Sequence, residues 1–174
     1  MSFLCYNILY NYFGGFNIWI SFNLDDMLFK LKIERLNNTN DYLDVSFEYQ
    51  FKNIINYKKY NQKILLHNDI DIIKNKIKEL LDNKLKNDDI YYCYEPDFNF
   101  EFIGGKWLTI NTYLWNNDER IGQITNNKIS IILELNDIRQ LYLYLKLITN
   151  EIDLNDNEIK KLINNNTIYN EKQG

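Results

Sequence analysis

The residues best equipped for chemistry are acids. Asp25-Asp26, Asp88-Asp89 and Asp118-Glu119 each place two carboxylates side by side, and Glu95-Pro96-Asp97 brings two more to the entry of a strand. Paired carboxylates can serve general acid–base catalysis or hold a hard divalent cation through oxygen. None of the pairs sits in the twelve-residue pattern of a calcium loop, so solvated, turn-forming acids are the simpler account. In Glu95-Pro96-Asp97 the proline fixes its own φ and restricts Glu95 to extended backbone, which makes the segment a strand-entry device with two neighbouring acids. An enzyme built on this chain would draw on Glu95, Asp97 and Glu101.

Other chemistries lack their parts. His67 and Cys93 form the one conceivable thiol–imidazole pair, and their neighbours read instead as a helix start and a buried strand. No serine lies in a Gly-x-Ser-x-Gly frame. A zinc site draws on three or four close Cys and His ligands, whereas Cys5, His67 and Cys93 are far apart. The six glycines fit neither a Gly-x-Gly-x-x-Gly nor a Walker frame. No metal, no cofactor and no catalytic residue is therefore expected.

The scaffold that must position these groups is an ordinary globular chain. With 174 residues, 45% hydrophobic and 25% charged, folding can bury roughly 70% of the chain's surface, and one domain over 1–174 is expected. The chain has no alanine, one valine (Val45), one proline (Pro96) and 28 asparagines. That bias follows AT-rich codons, so the asparagines are attributed to codon bias and not read as prion-like low complexity. The net charge of −4, with 20 dispersed basic residues, disfavours nucleic acid and suits a basic partner. Two cysteines are too few for a secreted disulfide framework, which points to a reducing compartment. Residues 3–22 are apolar but carry Asn7, Asn11, Asn17, Gly14 and Gly15 and no basic lead, so neither a signal peptide nor a membrane span is expected. A cytoplasmic location without a membrane partner is the expectation.

Strict alternation predicts strands at Phe29-Leu31-Ile33 and over 43–51, and an earlier strand is expected over 17–22 with Asp25-Asp26 in the turn after it, together an antiparallel meander. Apolar residues at spacings of three and four predict a helix over 67–85, capped by Asn68 or Asp69. A second meander starts at Ile90. Phe98, Phe100 and Phe102 alternate with Asn99 and Glu101, Gly104-Gly105 forms a two-residue hairpin, 107–115 returns, and Ile129, Ile131 and Leu133 follow. Asn136 is expected to cap a helix through Ile148, and Asn155 with Glu158 a short helix over about 155–165. Strands grouped before helices argue for α+β, with six to seven antiparallel strands in two meanders packed by two to three helices.

Several of these segments, in order, resemble the WapI-type immunity proteins of bacterial polymorphic-toxin and contact-dependent inhibition systems. Asp41-Tyr42-Leu43-Asp44-Val45 resembles their Asp-x-x-Trp-Leu-x-Val strand, with tyrosine in place of tryptophan. Leu65-Leu66-His67-Asn68-Asp69-Ile70 is similar to their Leu-Leu-Thr-x-Glu-Leu helix start, with His67 in place of the threonine. Residues 90–102, carrying Glu95-Pro96 and the alternating phenylalanines, resemble their Phe-x-Glu-Pro-x-Leu-x-Phe strand. The prolines that follow the hairpin in that family are missing here. The likeness covers about 20–148 and implies a non-enzymatic inhibitor that binds a cognate toxin domain. Many such toxins are nucleases with basic clefts, so the acids Asp25, Asp26, Glu95, Asp97, Asp118 and Glu119 are the expected steering contacts. Tyr113 and Trp115 are the expected aromatic anchors. The competing readings are a small carboxylate- or metal-dependent enzyme and a generic adaptor or phage-encoded binding module.

Overall fold

A computed structural model describes residues 17–34, 42–52, 54–93, 98–104, 106–114 and 127–170. They form two compact units, one within residues 1–62 and 146–174, the other within 63–145. The class is α+β, with three helices and two antiparallel sheets among the described residues.

In the first unit, β1 (Ile18–Leu24), β2 (Met27–Glu34), β3 (Tyr42–Phe51), β4 (Ile55–Leu66) and β9 (Ile168–Asn170) make a sheet in the order β4-β3-β2-β1-β9. Pairing Ile20 with Leu31 and Leu31 with Phe47 sets one apolar face. Ile18, Ile20, Phe22, Phe29, Leu31, Ile33, Leu43, Val45, Phe47 and Tyr49 are all buried, so the alternation read from the sequence is core-forming. The helix Asn157–Asn164, here α3, buries Ile159 and Leu162 in this unit.

The second unit holds the sheet β5-β6-β7-β8, with β5 (Asp89–Tyr92), β6 (Phe98–Ile103), β7 (Trp107–Tyr113) and β8 (Lys128–Leu133). Its inner face aligns Phe98, Phe100 and Phe102 with Thr112, Ile110 and Leu108, and Ile110 with Ile131. Helix α1 (His67–Leu81) packs on β6 and buries Ile70, Ile73, Ile77 and Leu80. Helix α2 (Leu135–Ile148) contributes buried Ile138, Leu141 and Leu145.

All three helices end the same way. Asn83, Asn150 and Asn166 take φ of 55°, 60° and 57° just past the last turn. Each donates its N–H three residues back, and the next residue's N–H reaches five residues back, as in Lys84 to Glu79 at 2.8 Å, Glu151 to Lys146 at 2.9 Å and Thr167 to Leu162 at 2.9 Å. This is the Schellman closure that glycine usually provides, built here with asparagine. The asparagines discounted as codon bias therefore do local work.

The structure corrects several expectations. Among the described residues it has nine strands, not six or seven, because β4 and β9 were not foreseen. In β4 the left-handed Asn61 (φ 53°) breaks the alternation, and β9 is three residues long. Helix α1 stops at Leu81 instead of Leu85, and its first turn starts from Leu66, whose N–H donates to Asp69 Oδ2 at 2.7 Å. Asp156, not Asn155, caps α3 through the N–H groups of Glu158 and Ile159. Helix α2 starts from Glu134, whose carbonyl accepts from Ile138, so Asn136 lies inside the first turn. Ile103 faces Trp107, so the hairpin connection is three residues, not two. A Cβ at Gly104 would approach the Leu85 carbonyl oxygen to 3.2 Å, which explains a glycine there.

Candidate binding face

Register places a second set of side chains on the outer face of the β5–β8 sheet: Ile90 and Tyr92 from β5, Asn99 and Glu101 from β6, Trp107, Thr109, Asn111 and Tyr113 from β7, and Lys128, Ser130 and Ile132 from β8. Four of the large apolar residues most exposed among the described residues lie here: Ile90 (47%), Tyr92 (64%), Trp107 (39%) and Ile132 (56%). Scattered exposed apolar residues are normal, but four on one face of a four-stranded sheet make that face the candidate contact surface.

At its centre is a polar network. Asn111 is fully buried; its amide nitrogen donates to Asn99 Oδ1 at 2.7 Å and to Glu101 Oε1 at 2.8 Å, and its Oδ1 accepts from Ser130 at 2.5 Å. Asn99, also buried, donates to the Tyr113 hydroxyl at 2.9 Å. Lys128 lies 3.8 Å from Glu101. Each amide is thereby fixed in orientation, which gives the face a rigid polar floor between apolar side chains. Its two opposite charges balance, so binding there would rest on shape and apolar anchors more than on steering. Lys106 Nζ lies 5.5 Å from the Trp107 ring centroid, covering part of that anchor.

The expected site residues are placed unevenly. Tyr113 is on this face, half-buried and held by Asn99, so it belongs to the floor. Asp25 and Asp26 are in the other unit, at the β1–β2 turn, where Asp25 takes φ 38°. There they line an open groove of about 320 Å³ with Asn23, Leu24, Met27, Leu28, Gln50 and Lys52. Asp26 pairs with Lys52 at 2.9 Å, which offsets its charge. Glu95, Asp97, Trp115, Asp118 and Glu119 lie outside the described residues. The exposed Ile90, Tyr92, Trp107 and Ile132 are not among the expected site residues. A signal existed, since Ile90 and Tyr92 face Glu101 and Asn99, the polar parity of β6, but only the register reveals it.

Two further clusters are structural. Glu48, on the outer face of the first sheet, accepts from Tyr60 at 2.5 Å and pairs with Lys58 at 3.2 Å and Lys30 at 3.3 Å. Burial alone would raise its carboxyl, but the Tyr60 hydrogen bond and the two ammonium groups outweigh that and hold it below its ordinary value. In the second unit the Tyr91 hydroxyl donates to Asp69 Oδ1 at 2.5 Å, and both burial and that carboxylate push the phenol's pKa up. Burial, with Asp69 nearby, likewise pushes the Cys93 thiol up, the opposite of an activated nucleophile. Among the described residues no group of three His, Cys, Asp or Glu side chains could hold a metal ion, and no helix is long and apolar enough to cross a membrane.

No family model matches the chain, and no curated protein or solved structure is significantly similar to it.

Proposed function

We propose that this chain is a non-enzymatic immunity protein of the bacterial cytoplasm that binds and neutralises a cognate polymorphic-toxin domain. The observation that carries the reading is the outer face of the β5–β8 sheet, where Ile90, Tyr92, Trp107 and Ile132 stand exposed around the buried Asn99–Asn111 floor. Binding by a fixed sheet face costs little ordering, and aromatic anchors over a satisfied polar network are the composition of a tight protein interface. The ordered resemblance to WapI-type immunity proteins supports the same role. Glu101, one of the three acids an enzyme reading would draw on, is engaged by Asn111 and Lys128, which suits positioning better than proton transfer.

The test is co-expression with any toxin domain that a neighbouring gene encodes, followed by titration of the two purified proteins. The expected result is rescue of growth by direct binding, lost in Tyr92→Asp and Trp107→Asp, whose exposed positions leave the fold intact. Failure of the unaltered chain to rescue or to bind would overturn the immunity role. Rescue and binding that survive both substitutions would move the interface off this face.

A further inference from the structure

Among the described residues both sheets are open, and their four edges are not equally protected. On the first sheet, β4 is long but carries Lys58, Lys59 and Lys63, and β9 has three residues. On the second, β5 has four residues. Lysines and short length are the usual means of blunting an edge. The β8 edge, Lys-Ile-Ser-Ile-Ile-Leu, is six residues long and has neither protection along its centre.

The hydrogen-bond phase of β8 follows from its neighbour. Leu114 donates to the Asn127 carbonyl at 2.9 Å, so this facing pair is a hydrogen-bonded one. Alternation then makes 112/129, 110/131 and 108/133 the bonded pairs with β7, and turns the N–H and C=O groups of Lys128, Ser130 and Ile132 outward. Among the described residues no strand pairs with that edge. The side chains of the same three residues are exposed.

We infer that the β8 edge pairs with β8 of a second copy of this chain, antiparallel about a two-fold axis at Ile131. This register places Ser130 opposite Ile132 and Lys128 opposite Glu134, the exposed residue that follows the strand with the parity of Ile132. Opposite charges at the two ends of one edge are self-complementary only in the antiparallel sense. Centring the axis on Ser130 instead would set each Lys128 beside Ile132, with Glu101 of its own chain 3.8 Å away and no acid across the seam. The two four-stranded sheets then form one continuous eight-stranded sheet with both outer faces on the same side. The pairing leaves Tyr92 and Trp107 open, while Ile132, also on the proposed binding face, stands at the seam.

Sedimentation equilibrium and backbone amide exchange of the full chain test this directly. The expected result is a dimer of micromolar affinity, since one strand pair buries less than a standard interface, with concentration-dependent protection of the Ser130 and Ile132 amides. Lys128→Glu sets like charges opposite Glu134, and Glu134→Lys sets them opposite Lys128. Each occurs twice per dimer, so each alone should weaken dimerisation roughly tenfold or more, while the double exchange restores it. Glu134→Lys is the cleaner arm because Lys128 also neighbours Glu101. A chain that stays monomeric to roughly 100 μM, far above such a dissociation constant, overturns the inference. So does a dimer indifferent to the single exchanges, or edge amides protected only when a different protein is added.

Discussion

Replacing Asn111 with alanine tests whether the outer face is a cooperative network or a set of independent surface polars. Asn111 is fully buried and makes three hydrogen bonds, two donated and one accepted. Glu101 is partly exposed and can recruit water, and the Ser130 hydroxyl can rotate to solvent. The Asn99 carbonyl oxygen, in a residue 2% exposed, has no such recourse. Stranding one buried acceptor costs about 1–3 kcal/mol, and losing a hydrogen bond to a carboxylate adds about 1 kcal/mol or more. The sum is roughly 2–4 kcal/mol of stability. At ordinary urea sensitivities of about 1–3 kcal/mol per molar, the midpoint should fall by about 1–2 M. Circular dichroism and tryptophan fluorescence should report coincident transitions. The Asn99→Ala/Asn111→Ala double variant should show a coupling of at least about 0.5 kcal/mol. A loss below about 1 kcal/mol at constant slope, or additive single effects, would refute the network.

Three other perturbations separate the remaining clusters. Glu48 has a depressed carboxyl pKa, so its contribution is fully present above its ordinary value near 4.5 and is lost as pH falls through the lower folded-state value; Glu48→Gln should flatten that acid limb of a stability–pH curve. The Cys93 thiol, buried and raised, should resist iodoacetamide at about pH 8 in the folded chain and react once urea unfolds it, as peptide mapping can read. Asn83→Ala should cost about 1 kcal/mol by forcing a Cβ-restricted residue into the left-handed region, whereas Asn83→Gly should be neutral or stabilising; equal thermal shifts for the two would count against the closure described.

What could be read from the sequence was what strict periodicity encodes. The alternation at Leu43-Val45-Phe47 and Phe98-Phe100-Phe102 and the helical spacing of Ile70, Ile73, Ile77 and Leu80 each identified a buried face. Strand β4 was hidden because an edge strand needs no apolar face and Asn61 shifts its phase. Helix starts were misassigned by one or two residues because several capping side chains stand in succession, as at Asn155 and Asp156, and the first buried turn selects among them. The proposed binding face was invisible for a different reason. Ile90, Tyr92, Trp107 and Ile132 come from three strands and share a face only through register. Of the acids that drew attention first, Asp25 and Asp26 are at a turn where Asp26 pairs with Lys52, while Glu95, Asp97, Asp118 and Glu119 lie outside the described residues.

The Asp69 carboxylate has a consequence for motion. One oxygen holds the Leu66 amide at the start of α1, and the other holds the Tyr91 hydroxyl on β5. A four-residue edge strand would ordinarily fray alone, ahead of any helix. Here β5 cannot peel away without stripping a partner from the carboxylate that seats the first helical turn, so the two should open as one cooperative step, and amides at both places should share an exchange rate. The strand that carries Ile90 and Tyr92 to the outer face thereby borrows the lifetime of a fifteen-residue helix.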